Sequence, residues 1–153
     1  MQNRPRTVRR LSAIGICVAG LGLAGNAALP RGDVRVTVTG LRSDHGQVLA
    51  CLTADAKDFP DCSKDPAARR RAIPAQDGMQ FTFSDVPQGE YAIALLHDEN
   101  ANGKADKALM VPKEGFGFSR NAKLRLGPPS FSSAAFAVDG PLVKHTIRMR
   151  YIF

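Results

Sequence analysis

Val34, Val36 and Val38 alternate with Arg35, Thr37 and Thr39. A period of two, with β-branched residues on one side, predicts a half-buried strand whose valines face inward. The pattern returns near the other end, where Val143, His145, Ile147, Met149 and Tyr151 alternate with Lys144, Thr146, Arg148 and Arg150. Between these two, Gln47–Thr53 is mostly apolar and reads as a second strand, hairpin-paired with the first across a glycine-bounded turn at 40–46. Residues 54–66 form a polar excursion, and 69–75 predict a short edge strand, because Pro74 has no N–H for a ladder. After an Asp77-Gly78 turn, Met79, Phe81 and Phe83 alternate with Gln80, Thr82 and Ser84, and 85–89 predicts a second tight turn. Residues 90–96 are apolar on both faces, as in a central strand covered on both sides.

The stretch 98–141 is long and mostly irregular by pattern, with a short strand at 123–126 and either a helical turn or an apolar loop at 130–138. Connections of this length carry function or are held by something other than a hydrogen-bond ladder. Short strands separated by frequent turns predict an all-β fold, an antiparallel β-sandwich with one long irregular connection. The aromatic residue ending an alternating strand also occurs in outer-membrane barrels, but the strands here are too short and too few for one.

The first 27 residues stand outside this pattern. Arg4, Arg6, Arg9 and Arg10 form a basic head, 11–23 is apolar, and Gly25-Asn26-Ala27 is small. That three-part arrangement predicts a secretory signal peptide cut near Ala27, leaving one domain over 28–153. An apolar core of 13 residues falls short of the roughly 20 that a spanning helix needs, and no second such run follows, so no membrane span is expected after cleavage. Ile16 before Cys17 is too bulky for a lipoprotein cut. The chain carries 21 basic and 14 acidic residues, a net charge of +7. Four of the arginines lie in the leader, so the remainder is near +3 and nucleic-acid binding loses its main support. Arg69-Arg70-Arg71 remains as a basic run, which is ordinarily a solvated loop or strand edge. Removal of Cys17 leaves Cys51 and Cys62, which in an exported chain read as a disulfide; two free thiols are the other reading.

The densest chemistry follows the central strand. In His97-Asp-Glu-Asn-Ala-Asn-Gly-Lys-Ala-Asp106, oxygen-bearing side chains fall at Asp98, Asn100, Asn102 and Asp106, with Gly103 among them. Calcium takes six to eight oxygens, and a tight loop supplies them from alternate positions, a glycine permitting the turn. With Asp98 first, the ligand set is Asp98, Asn100, Asn102, the Lys104 carbonyl and Asp106, with Glu99 or Glu114 as a further carboxylate. Leu109 stands where an EF-hand has its bidentate glutamate, and the incoming element is a strand, so this is not an EF-hand. The competing reading is a metal-free turn, since Asn and Asp bond their own backbone. A metal held here would be structural calcium, bound weakly. Catalysis has thinner support. His45, His97 and His145 show no metal-ligand spacing, and there is no Gly-x-Ser-x-Gly turn. His97 reads as a strand-end side chain capping the acidic loop, or as a zinc ligand or general base.

Five blocks then carry a resemblance: Pro87-Gln-Gly-Glu-Tyr-Ala92, the acidic loop, Pro112-Lys-Glu-Gly-Phe-Gly-Phe-Ser119, Pro128-Pro-Ser-Phe131 and Ala135-Phe136. In this order they resemble a bacterial exported family catalogued as domain of unknown function, number 2141, over about 34–151. The resemblance implies export and an immunoglobulin-like or transthyretin-like sandwich, and it implies no reaction. Met110 and Arg120 depart from it, where such sequences often carry Gly and Asn. The expectation is an accessory or binding module of the bacterial envelope, periplasmic or secreted, with an unknown envelope or extracellular ligand. Two other readings stay open. One is a small metal-dependent hydrolase using His97, Asp98, Glu99 and Glu114. The other is a carbohydrate or anionic-polymer binder using Arg69–Arg71 with Phe116 and Phe118 as an exposed platform.

Overall fold

The computed structural model describes residues 30–105, 107–108, 111–124 and 127–152. The expected leader, Asp106 and residues 125–126 lie outside the described residues. Along the chain run β1 (Arg31–Thr39), β2 (Gln47–Thr53), β3 (Arg69–Pro74), β4 (Gln80–Pro87), β5 (Gly89–Asp98), β6 (Lys107–Ala108), β7 (Val111–Pro112) and β8 (Gly115–Phe118). A 3-10 turn (Ser119–Asn121), α1 (Phe131–Ala134), β9 (Phe136–Val138) and β10 (Leu142–Arg148) complete it. Among the described residues the fold is all-β apart from these two short turns of helix. Lys123 and Leu124 are not in a strand, and the ambiguous 130–138 divides into α1 and β9. No helix among the described residues is long and apolar enough to cross a membrane.

Two sheets enclose the core. One has the order β10-β1-β4, the other β3-β2-β5-β8, with β9 also paired to β5. β1 runs antiparallel to β4 but parallel to β10, with Val36 opposite His145 and Val38 opposite Ile147. The expected β1–β2 hairpin is therefore corrected: the two strands lie in different sheets. Val34, Val36 and Val38 meet Val48, Ala50 and Leu52 in one buried cluster, so each strand covers the apolar face of the other. A hairpin would have placed both apolar faces on one side of one sheet. Gly46 makes the crossing tight. Its φ is +70°, and a Cβ there would stand 2.0 Å from the Asp98 carbonyl oxygen. The expected turn at 85–89 is likewise a crossing, because only Gln88 separates β4 from β5.

β5 is the central strand its pattern predicts. Ile93 and Leu95 enter the core between the sheets, while Ala92 and Ala94 face a second cluster with Phe59, Phe118 and Ala134. Phe59 meets the Phe118 and Phe131 rings edge-on at 6.0 and 5.9 Å. It sits in the excursion after β2, which the disulfide Cys51–Cys62 fastens over the outer face of the sheet. His145, on the inner face of β10, lies against the Phe136 ring at 4.0 Å. Burial pushes its pKa down, and its Nε2 is the one buried side-chain polar atom without a partner among the described residues.

Both sides of the sheet pair are closed. On one side the β8 residue Phe116 exchanges two backbone hydrogen bonds of 2.9 Å with Arg150, just beyond β10. The Gly-Phe-Gly-Phe sequence of β8 makes this approach fit: a Cβ at Gly115 would lie 2.4 Å from the Tyr151 ring, and one at Gly117 2.7 Å from Ile147. On the other side arginines do the closing. Arg69 donates to the carbonyls of Ser84 (2.5 Å) and Asp85 (2.7 Å), and Arg71 to that of Thr82 (3.2 Å). The β4 carbonyls that no neighbouring strand pairs are satisfied by guanidinium groups from β3. Removing the disulfide frees the excursion carrying Phe59. Cys62→Ser is expected to lower stability by roughly 3 kcal/mol in urea unfolding, and added reductant to bring the parent protein to the same midpoint.

Candidate functional site

The acidic loop leaves β5 at a point where the backbone is already held on both sides. His97 and Asp98 are fully buried, with His97 opposite Val48 of β2 and Gly115 of β8. The His97 Nε2 lies 2.9 Å from the His45 carbonyl oxygen and its Nδ1 2.7 Å from the Tyr151 hydroxyl. A carbonyl only accepts, so Nε2 carries a proton, and in that neutral tautomer Nδ1 accepts from Tyr151. The Tyr151 oxygen in turn accepts from the Arg42 backbone N–H at 3.2 Å. Burial pushes the Tyr151 pKa up, which keeps the hydroxyl a donor. His97 thus fastens the β1–β2 connection and the segment after β10 to the end of β5. Both ring nitrogens are engaged in this role, so the position proposed for a general base or zinc ligand is a structural one.

Next to it, Glu99 receives the Arg42 guanidinium, with Nη2 at 2.5 Å and Nε at 3.2 Å, and the Ser43 hydroxyl at 2.7 Å. Arg42 also donates to the Lys113 carbonyl (3.1 Å) and lies 4.5 Å over the Tyr151 ring. Hydrogen bonding to Arg42, aided by Ser43, holds the Glu99 carboxyl at about 2 despite burial. Glu114 is buried, and its charge adds to the field that raises the Arg42 pKa, of which Glu99 is the main cause. Sequence periodicity gives no sign of Arg42 or Ser43 as partners of the loop. The one available signal is their place in a glycine-bounded turn beside a strand end.

The loop itself winds around Asp98. One carboxylate oxygen accepts from the Gln47 side-chain amide (2.8 Å) and the Gly103 N–H (2.8 Å), the other from the Asn102 N–H (3.0 Å). Burial pushes the Asp98 pKa up, but these hydrogen bonds outweigh it and hold the carboxyl ionised below its ordinary range. The Asn100 side-chain oxygen accepts from the Asn102 N–H at 3.1 Å, and the Asn102 oxygen from the Lys104 N–H at 2.8 Å. Ala101 takes a left-handed φ of 55° and Gly103 one of 77°, which lets the chain coil this tightly. Asp98, Asn100, Asn102 and Lys104 are therefore gathered in one coil, Glu99 is turned onto Arg42, and Asp106 lies outside the described residues. The described residues hold no group of three His, Cys, Asp or Glu side chains suited to a metal.

The residues named for polymer binding are placed differently. Arg69 and Arg71 bond to β4, and Arg70 donates to the carbonyls of Asp65 (3.0 Å) and Cys62. Phe118 is buried and Phe116 partly so, and no aromatic side chain among the described residues is fully exposed. Ser119, to which the sequence reading assigns no role, is a keystone of this region. Its hydroxyl accepts from the Ile93 N–H (2.9 Å) and donates to the Ala134 carbonyl (2.6 Å), filling the gap on β5 between β8 and β9. Arg120 beside it adopts φ 56°, a conformation that Asn tolerates better than Arg.

Tyr151→Phe leaves the buried His97 Nδ1 without a donor, and is expected to cost about 1–3 kcal/mol in chemical denaturation while the fold, read by circular dichroism, persists. Glu99 generates a pH dependence. Its folded value of about 2 lies below the ordinary 4.5, so the unfolded chain binds more protons in that window. The stabilisation is complete above pH 4.5 and is lost as pH falls toward 2. Glu99→Gln is expected to flatten this part of the stability–pH curve.

No curated protein and no solved structure matches the chain. A family model described as an uncharacterized protein conserved in bacteria (DUF2141) matches residues 36–146. That span runs from the centre of β1 into β10, taking in both sheets and the whole acidic loop, and covers more than half of the chain. The chain therefore belongs to this bacterial family, a domain of unknown function.

Proposed function

We propose that this protein is an exported module of the bacterial envelope, binding or structural in role, whose acidic loop closes on a calcium ion. The observation that carries the reading is Asp98: a buried carboxylate held ionised at the start of a coil that repeats an oxygen-bearing side chain at Asn100 and Asn102. A hard cation is the natural complement of such a series. Asp98 and Asp106 supply the carboxylates, with Asn100, Asn102 and the Lys104 carbonyl between them. Glu99 stays on Arg42 and steadies the base of the loop. With two carboxylates, affinity falls in the range of extracellular modules, on the order of 0.1–1 mM. The ion's work is mechanical: it fixes the connection that leads to β8. Export is supported by the basic head and apolar run of residues 1–27 and by the Cys51–Cys62 disulfide. The hydrolase reading loses its base to the His45 and Tyr151 contacts of His97.

The test is thermal unfolding of the purified protein in EDTA and in 5 mM calcium, a concentration set above the roughly millimolar affinity expected. Calcium is expected to raise the midpoint and magnesium to do so less. Asn100→Ala with Asp106→Ala, which leaves the Asp98 hydrogen bonds in place, should remove the response. An unchanged midpoint and no heat on calcium titration would sink the loop as a metal site.

A further inference from the structure

Among the described residues, no strand or helix covers the outer face of the three-stranded sheet. Register places its side chains in rows. Lys144, Arg35 and Thr82 stand side by side across β10, β1 and β4, and Thr146, Thr37 and Gln80 form the next row. Neighbouring strands are about 4.8 Å apart, so the two cations of the first row are immediate neighbours. Like charges at facing positions are destabilising. The described ion pairs are Arg31–Asp85 and Arg42–Glu99, so neither Arg35 nor Lys144 has a carboxylate partner among the described residues. Both are exposed. Asp33, the nearest acid on the same face of β1, accepts the Asp85 N–H at 3.0 Å.

These rows shape an open cavity of about 340 Å³, lined by Arg35, Thr37, Gln80, Lys144, His145 and Thr146. No acidic side chain is among the lining residues. Two adjacent positive charges call for a doubly charged anion, and one phosphate monoester matches them where a carboxylate would leave half the charge. The Arg35 fork pairs with phosphate oxygens and Lys144 acts as a point charge. The Thr37 and Thr146 hydroxyls and the Gln80 amide both donate and accept, which suits a hydroxyl-bearing body attached to the phosphate.

We propose that this face binds a phosphate monoester carried on a hydroxylated, sugar-like body, with Arg35 and Lys144 holding the phosphate and Thr37, Thr146 and Gln80 the hydroxyls. The site stands apart from the acidic loop and does not depend on calcium. The monoester is either a free sugar phosphate or a lipid headgroup, and the two are told apart by the probes. In EDTA, protein from expression of the full chain is titrated with glucose 6-phosphate, glucose, and vesicles containing phosphatidylinositol 4-phosphate, followed by amide NMR shifts. Saturable shifts at Arg35, Thr37, Lys144 and Thr146 are expected with glucose 6-phosphate or with the vesicles, and none with glucose. Lys144→Gln should weaken binding about tenfold, and adding Arg35→Gln should abolish it. Both side chains are exposed, and an unchanged thermal midpoint shows that the variants fold. Binding by neither phosphate probe, equal binding by glucose, or full binding by the double variant overturns the proposal.

Discussion

One phenolic hydroxyl, that of Tyr151, joins three segments that are distant in sequence. It accepts from the Arg42 backbone, donates to His97, and its ring lies beneath the Arg42 guanidinium. Through Arg42 the same contact reaches Glu99 and the Lys113 carbonyl. The network runs from an exposed end at Arg42 to the fully buried His97, where an unsatisfied polar group would be costly. Its consequence for the loop is geometric. Asp98 leaves a strand end that cannot shift without breaking the His97 contacts, so the coil is built on a fixed base. The tight approach of Gly46 to Asp98 and Glu99, and of Gly115 to Tyr151, leaves no room for a side chain at either glycine.

β1, β4, β5 and β10 were legible because a buried face writes its period into the sequence; β8 and β9, short strands inside the stretch read as irregular, were not. β1 and β10 carry clean alternation, and β5 is apolar on both sides because it serves two clusters. The disulfide was legible from the cysteine count and the expected leader, and is present. Pairing was not legible. Alternation shows that Val34, Val36 and Val38 point inward, but it does not show whether β2 lies beside them or across from them. The parallel partnership of β1 with β10 is invisible for the same reason, since its two members are separated by most of the chain.

Within the site, the coil around Asp98 followed from residue types, because Asn, Asp and Gly each have a local reason to turn. The arginines were harder. Arg69-Arg70-Arg71 reads in sequence as a solvated strand edge, and it lies on one, with Arg70 and Arg71 exposed; what the sequence does not show is that its guanidinium groups also meet backbone carbonyls. Guanidinium groups satisfy carbonyls as well as they meet anions, and only the neighbouring strand decides which. Arg35 and Lys144 show the converse. As alternating members of amphipathic strands they are unremarkable in sequence, and only the register brings them together.

The parallel placement of β10 beside β1 bears on the order in which the chain can fold. Before residues 142–151 are available, β1 has only β4, and two strands without a third are marginal in water. The valines of β1 then lack Ile147 as a neighbour, β8 lacks its Arg150 partner, and His97 lacks its donor. The three-stranded sheet, and with it the closure of the core over the apolar face of β2 and β5, therefore waits for the last tenth of the polypeptide.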